Sequence, residues 1–275
     1  MNTNYNTIAQ QGQLQIMDRI HKVCMENGLR YYLIGGSALG AIRHRGFIPW
    51  DVDIDIAMPR SDYEEFLKLA NEKLGERYVC HHCGNQKRYT PPHARVHLQR
   101  SELRYAHTLL NPSPSHPGLY VDILPLDYVS ESIEAQNRHA CQLRLIRRLR
   151  DYKEAKIYED STFLTIIAKN IIRMLMGIIP WTIINKKQQD IAKRFNNLKS
   201  PHLYCSTMSH YEYHKLVVPV RVYGTPTLYD FEGRQYCGPQ YIDEYLKNLF
   251  GDYMKFPSKE VQNASANMIK YAHFE

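Results

Sequence analysis

The chain has no apolar run long enough to cross a bilayer. Its most apolar stretch, residues 161–184, is interrupted by Lys169 and Arg173; a spanning helix needs about 20 consecutive apolar residues. It lacks a cysteine framework too. Six cysteines are scattered over 275 residues, which suits free thiols in a reducing compartment better than a disulfide scaffold. No signal-peptide pattern is visible, because residues 1–15 are polar, and the expected location is the cytoplasm. There is no internal repeat and no linker long enough to separate independent domains. No nucleic-acid module can be read, so no nucleic-acid partner is expected. What is present is an ordinary globular composition, 44% hydrophobic, enough for a sizeable core. The charge is uneven: 35 basic against 28 acidic residues give +7. That surplus suits anionic partners such as a nucleotide, a phosphorylated glycan or an acidic membrane surface.

The chemistry-bearing residues concentrate between Gly35 and Asp55. Arg30 to Ile34 is rich in strand formers,. Gly35-Gly36-Ser37 follows, and Ser37 to Arg43 reads as a short helix with Ser37 as N-cap,. The free backbone N–H groups of such a helix start can hold a phosphate. Asp51-Val52-Asp53-Ile54-Asp55 reads as a strand. Period two puts its three carboxylates on one face and Val52, Ile54 and Ile56 on the other,. Like charges so placed repel, and hard oxygen ligands on a rigid strand suit Mg²⁺ or Mn²⁺ beside substrate phosphates. A solvated strand edge is the plainer account of the same spacing.

Elsewhere, Ile16, Met17, Ile20, Val23 and Cys24 recur at helical spacing, with Asn27-Gly28 as a stop,. Ser61-Asp62-Tyr63-Glu64 is a capping-box pattern,. Strands are expected near Tyr78 to His82, Ala94 to Gln99 and Leu103 to His107, and a proline-rich loop over 111–118,. Cys80-His81-His82-Cys83 is half of a zinc site, but His93, His97, His107 and His116 supply no recognised second pair. Structural zinc is therefore not expected. Leu119 to Leu124 reads as a strand that places Asp122 among apolar residues, and a buried carboxylate is costly unless paired or metal-bound. Residues 131–199 read as helical, beginning with a strongly basic segment. For 161–184, packing on the core is favoured over a helix lying at a membrane interface. A strand near Leu216 to Val220 and a helix over Tyr241 to Phe250 follow.

Strand, Gly-Ser turn, helix and acidic strand together resemble a polymerase-β-type nucleotidyltransferase core. The run Tyr32-Leu33-Ile34-Gly35-Gly36-Ser37-Ala38-Leu39-Gly40-Ala41-Ile42-Arg43-His44-Arg45-Gly46-Phe47-Ile48-Pro49-Trp50-Asp51, continuing to Met58-Pro59-Arg60, is similar to the signature of the LicD family. Gly118 to Asp127 resembles that family's second motif and Tyr241 to Met254 its closing one. Val52 stands where bacterial members usually carry another Asp.

The resemblance implies an α+β fold: a mixed sheet flanked by helices, with a helical insertion. Residues 1–130 would form the catalytic core. Residues 131–200 would be a helical region packed on the core or facing a membrane, and 201–275 the remainder of the same catalytic unit. It implies transfer of a phosphorylated alcohol, phosphocholine first among candidates, from a CDP-activated donor. The acceptor would be a hydroxyl of a cell-surface glycan of the lipopolysaccharide or teichoic-acid kind, or its lipid-linked precursor, with CMP released at the inner face of the cell membrane. Asp53, Asp55 and Asp122 would be catalytic, and Asp51, Asp53, Asp55 and Asp122 would hold Mg²⁺ or Mn²⁺. Gly35, Gly36, Ser37, Arg43, His44, Arg45 and Arg95 would bind phosphate, arginine forks suiting that target. The rivals are NMP transfer from an NTP with pyrophosphate release, and an inactive basic binding protein.

Overall fold

The computed structural model describes residues 5–105, 118–155, 161–266 and 269–275. The chain opens with helix α1 (Tyr5–Glu26), whose Ile16, Met17, Ile20, Val23 and Cys24 are all 0% exposed. Full burial of an aliphatic side chain contributes about 1.5–3 kcal/mol, so this stripe anchors the helix despite its polar remainder. Gly28, at φ +64°, ends the segment in the left-handed region, as the Asn-Gly pair suggests. Then come β1 (Tyr32–Leu33), α2 (Gly35–His44), β2 (Asp55–Pro59), α3 (Arg60–Lys73), β3 (Tyr78–His81), β4 (Ala94–Leu98), β5 (Ser101–Tyr105) and β6 (Tyr120–Val129).

Strands β1, β2, β6, β4 and β3 lie side by side in that order. The β2–β6 pairing is parallel, while β1–β2, β6–β4 and β4–β3 are antiparallel. The outer end of β6 pairs with β7 (Leu203–Cys205), which pairs with β8 (Val217–Pro219). This is a mixed sheet flanked by helices. Helices α1 and α3 pack on β6 and its neighbours, and α2 packs on β2. The three strands expected between Tyr78 and His107 all form, as β3, β4 and β5. His107, His116 and the proline-rich loop fall outside the described residues, apart from Gly118.

Between β6 and β7 along the chain come α4 (Ile133–Glu154), α5 (Phe163–Met176) and α6 (Trp181–Ala192). Leu143, Ile146, Ile184 and Ile191 make a small second core between α4 and α6. Buried His139 ties them together: Nε2 bonds the Ile191 carbonyl at 2.8 Å and Nδ1 the Tyr213 hydroxyl at 2.9 Å. Among the described residues no single helix is long and apolar enough to cross a membrane. The chain continues through α7 (Tyr213–Leu216), α8 (Val220–Tyr223), the hairpin β9 (Thr227–Phe231) and β10 (Arg234–Gly238), α9 (Ile242–Phe250), α10 (Lys259–Ala266) and β11 (Ile269–Phe274). In α9, Tyr245, Leu246 and Leu249 are buried, but Tyr241 precedes the helix and is half exposed.

Three local expectations need correction. The strand does not run from Asp51; it begins at Asp55. Asp51 Oδ1 accepts from the Val52 N–H at 2.9 Å and the Asp53 N–H at 3.5 Å, and Gln13 Oε1 accepts from the Ile54 N–H at 2.9 Å. Side chains thus satisfy those donors before a ladder can, which is the competition short polar side chains offer. Val52 and Ile54 are still buried. Ser37, likewise, is not the N-cap. Gly35 at φ +53° lets the chain turn two residues earlier, and α2 starts there after extended Ile34. Nor does Ser61 cap α3, which begins at Arg60; Asp62 instead accepts from Arg30 Nε at 2.8 Å.

Candidate active site

The sheet register places Asp55 opposite Asp122 and Asp122 opposite Arg95. One row of side chains across β2, β6 and β4 therefore reads acid, acid, base. Cross-strand neighbours of this kind lie about 5 Å apart at Cβ. Arg95 Nε donates to Asp122 Oδ1 at 2.6 Å and Nη2 to Oδ2 at 3.4 Å. The Arg95 guanidinium also lies 3.9 Å from the Tyr120 ring centre. His93 Nε2 stands 3.0 Å from the same Asp122 oxygen.

The two acids differ in electrostatic state. Burial pushes the Asp122 carboxyl up, but Arg95 and His93 together outweigh it and hold it well below the usual carboxylate range. Burial pushes Asp55 up as well, and Asp122, Asp53 and Asp51 push it further, with Arg95 only partly opposing them. Asp51 is raised by burial against the pull of its two backbone N–H donors and His210. Four carboxyls therefore share one field, though they do not share one strand face.

The start of α2 is locked to this row. Asp55 N–H donates to Ser37 Oγ at 2.8 Å, and Ser37 Oγ reaches the Asp53 carbonyl at 3.4 Å. Gly35 N–H donates to the Tyr245 hydroxyl at 2.9 Å. A Cβ on Gly36 would lie 2.6 Å from Asp51 Oδ2, so the glycine lets the carboxylate approach the helix start closely. By helix geometry the first-turn N–H groups point out of the N-terminus, beside these acids.

Arg43, His44 and Arg45 lie at the other end of α2, about 9 Å further along the axis from Ser37. Arg43 Nη1 donates to the Tyr253 carbonyl at 3.0 Å, and its guanidinium stacks 4.6 Å from the Phe256 ring centre. His44 packs edge-on against Trp50 and Phe256. Arg45 adopts the left-handed C-cap conformation at φ 54° and is exposed. The structure thus gathers Gly35, Gly36, Ser37, Asp51, Asp53, Asp55, Arg95 and Asp122, and leaves the three basic residues at a separate end of the helix.

Four further residues join the site. His93 precedes β4; His210 and Tyr211 come from the segment after β7; Arg147 comes from α4. Burial and the charges of Arg147 and His93 lower the His210 pKa, against Asp122 and Asp51. Burial, Asp55 and Asp51 push the Tyr211 phenol up to about 12. Arg147 Nη2 donates to the Ser209 carbonyl at 2.7 Å. No local pattern marks these positions; long-range topology alone assembles them.

Among the described residues, no three His, Cys, Asp or Glu side chains stand in an arrangement ready to hold a metal ion. The donor chemistry nevertheless fits a hard divalent cation. Three acids raise the affinity of Asp55 for positive charge, and the arginine nearby is bonded to Asp122.

A glycine-opened helix start is packed against an acidic strand pair, and free N–H groups at such a start suit phosphate oxygens. Residues 28–139 match the family model described as LicD/FKTN/FKRP, nucleotidyltransferase domain. Over those residues the chain is similar to the LicD family. It is 27% identical over 255 residues to the lipopolysaccharide cholinephosphotransferase LicD of Haemophilus influenzae, covering 90% of this chain and 91% of that protein. It is also 44% identical over 48 residues to the human ribitol 5-phosphate transferase FKRP, covering 18% of this chain and 10% of that protein.

Proposed function

We propose that this chain is a LicD-type phosphotransferase that moves a phosphorylated alcohol, phosphocholine first, from a CDP-activated donor to a hydroxyl of a lipopolysaccharide-type glycan, with CMP as leaving group. The observation that carries the reading is the Asp55–Asp122–Arg95 row beside the Gly35–Ser37 helix start, in a chain alignable along nearly its whole length with a cholinephosphotransferase. Displacement at phosphorus is mostly a matter of positioning and charge neutralisation. Asp53 and Asp55 are the residues to hold Mg²⁺ or Mn²⁺, with Asp51 and Asp122 adding negative charge around them. When bound, such an ion neutralises the diphosphate of the donor.

The remaining work falls to the protein. The first turn of α2 offers N–H groups to phosphate oxygens. Arg95 keeps Asp122 ionised and fixes its direction through a two-point contact. Asp55, whose carboxyl is raised by burial and by its acidic neighbours, is the member of the pair that a bound cation would relieve. Tyr211, whose ring lies against Gly35, and His210, in the field of Arg147 from α4, border the site.

The test is product analysis. Purified protein is given a panel of CDP-alcohols with Mg²⁺, with and without glycan acceptor, and CMP is quantified. CMP release from CDP-choline supports the reading. Pyrophosphate release from CTP or ATP without CMP release would replace it with nucleotidyl transfer.

A further inference from the structure

We propose that α5 is a membrane-docking helix, lying flat in the headgroup region of an anionic bilayer with its apolar face in lipid. Not one residue of α5 is buried. Phe163, Leu164 and Met174 are 75%, 77% and 71% exposed, and Ile178 just beyond the helix is 83% exposed. Ile171 and Leu175 are exposed with them. At about 100° per residue these positions fall within an arc of about 120°, while Lys169 and Arg173 sit on the opposite side. A globular protein normally turns such a stripe toward its core. Here the polar back of the helix makes the attachment instead. Arg173 Nε donates to the Glu154 carbonyl at 3.0 Å, and Lys153 Nζ to the Met176 carbonyl at 2.7 Å.

Length and charge select the occupant. α5 is 14 residues long, and it meets the following helical stretch at 81°. It is too short to span, and the pair forms an elbow whose apolar side fits a surface. Across residues 161–195 there are six basic residues against one acid, Asp190. A second copy would bring two like-charged rims together. An anionic lipid surface is complementary, and basic residues beside a bilayer add to apolar insertion. α4 connects this face to the site, since it carries Arg147 on to Ser209 beside His210. The use of docking, presenting the site to a lipid-linked acceptor, rests on the transferase reading; the docking itself does not.

The experiment is co-sedimentation of the full chain with vesicles of phosphatidylcholine alone or mixed with phosphatidylglycerol. Binding is expected to the mixed vesicles and to weaken with salt. The triple variant Leu164→Ser, Ile171→Ser, Ile178→Ser should lose at least about tenfold in partition with unchanged circular dichroism and melting, because none of the three is buried. Lys186→Glu with Lys187→Glu should weaken binding to the mixed vesicles only. Phe163→Trp should shift its emission to the blue on vesicles. Asp55→Asn should sediment like the parent, so a failed transferase assay leaves this result standing. Absence of vesicle binding, or equal binding by the triple variant, overturns the proposal. So does a dimer in sedimentation velocity that the triple variant abolishes, which would assign the face to a second copy.

Discussion

Asp55 and Asp122 are direct register partners on parallel β2 and β6, yet their carboxyls are driven in opposite directions. Arg95, together with His93, accounts for the difference. It is bonded to Asp122 at 2.6 Å and acts on Asp55 only from a distance. The pair titrates as a unit, but the bound guanidinium decides which member holds the negative charge more readily.

Asp55→Asn is therefore expected to stabilise the fold at neutral pH while lowering turnover by about 10²-fold or more. A carboxyl raised in the folded state contributes stability that is complete below its unfolded pKa of about 3.9 and is lost as pH rises through the folded value. The parent should lose stability upward from about pH 4 in a component absent from Asp55→Asn. Thermal melts of both proteins across pH test this. Identical pH profiles would show that Asp55 carries no such burden.

Arg95→Leu should have the reverse effect on the fold. It strips the counter-charge from a carboxylate whose side chain is only 16% exposed. Breaking one side of a buried pair costs about 3 kcal/mol or more. The double variant Arg95→Leu, Asp122→Leu should recover part of that loss without recovering activity. Urea titrations of the three proteins measure the coupling. Additive losses would mean the two residues do not interact energetically.

Much of this was readable in the sequence. The stripe Ile16, Met17, Ile20, Val23 and Cys24 is wholly buried because period 3.6 places it on one face,. Asp122 stands out because a carboxylate in an apolar strand needs a partner, and Arg95 supplies it. What was not readable is how Asp51 behaves. Alternation predicts a strand, but its carboxylate caps two adjacent N–H groups and holds the chain in a turn. Pairwise competition between a side chain and a ladder leaves no period to detect. His93, Arg147 and the adjacent His210 and Tyr211 arrive from three places in the chain, and their convergence is a property of topology. The apolar stripe of α5 is visible from sequence; that it faces outward is not.

Gly36→Ala tests the close contact at the helix start. The new methyl would meet Asp51 Oδ2 at 2.6 Å, and the carboxylate would have to leave the Val52 and Asp53 amides. Helix propensity favours Ala over Gly by about 1 kcal/mol, which offsets part of the fold's loss. The expected signature is near-parental melting with a fall of about tenfold or more in kcat/KM. Full activity would show that Asp51 can move without consequence.

Chelation tests the ion. EDTA should abolish CMP release, with recovery on adding Mg²⁺ or Mn²⁺. Divalent cation should also raise the melting temperature of the parent by mass action, and not that of Asp55→Asn. Activity that persists in chelator would remove the ion from the reaction.

Asp127 gives the control that separates holding the fold from acting on substrate. It lies five residues beyond Asp122 on β6 and is 0% exposed. It accepts from Arg60 Nε at 2.7 Å and Nη2 at 2.6 Å, from Asn196 Nδ2 at 2.7 Å and from Thr207 at 3.3 Å. Every strong acceptor site of the carboxylate is thus used inside the protein, which leaves none for a ligand. Asp127→Asn would strand the Arg60 charge, whose side chain is 10% exposed, at a cost of about 3–5 kcal/mol. Asp122→Asn should also cost stability, because it leaves the Arg95 guanidinium without its counter-charge,, but it should in addition lose turnover where it is folded, because no negative charge then stands beside Asp55. Urea midpoints and CMP release, measured where each variant is fully folded, separate the two. A folded Asp127→Asn protein without activity would move Asp127 into the site and break the distinction between the two acids of β6.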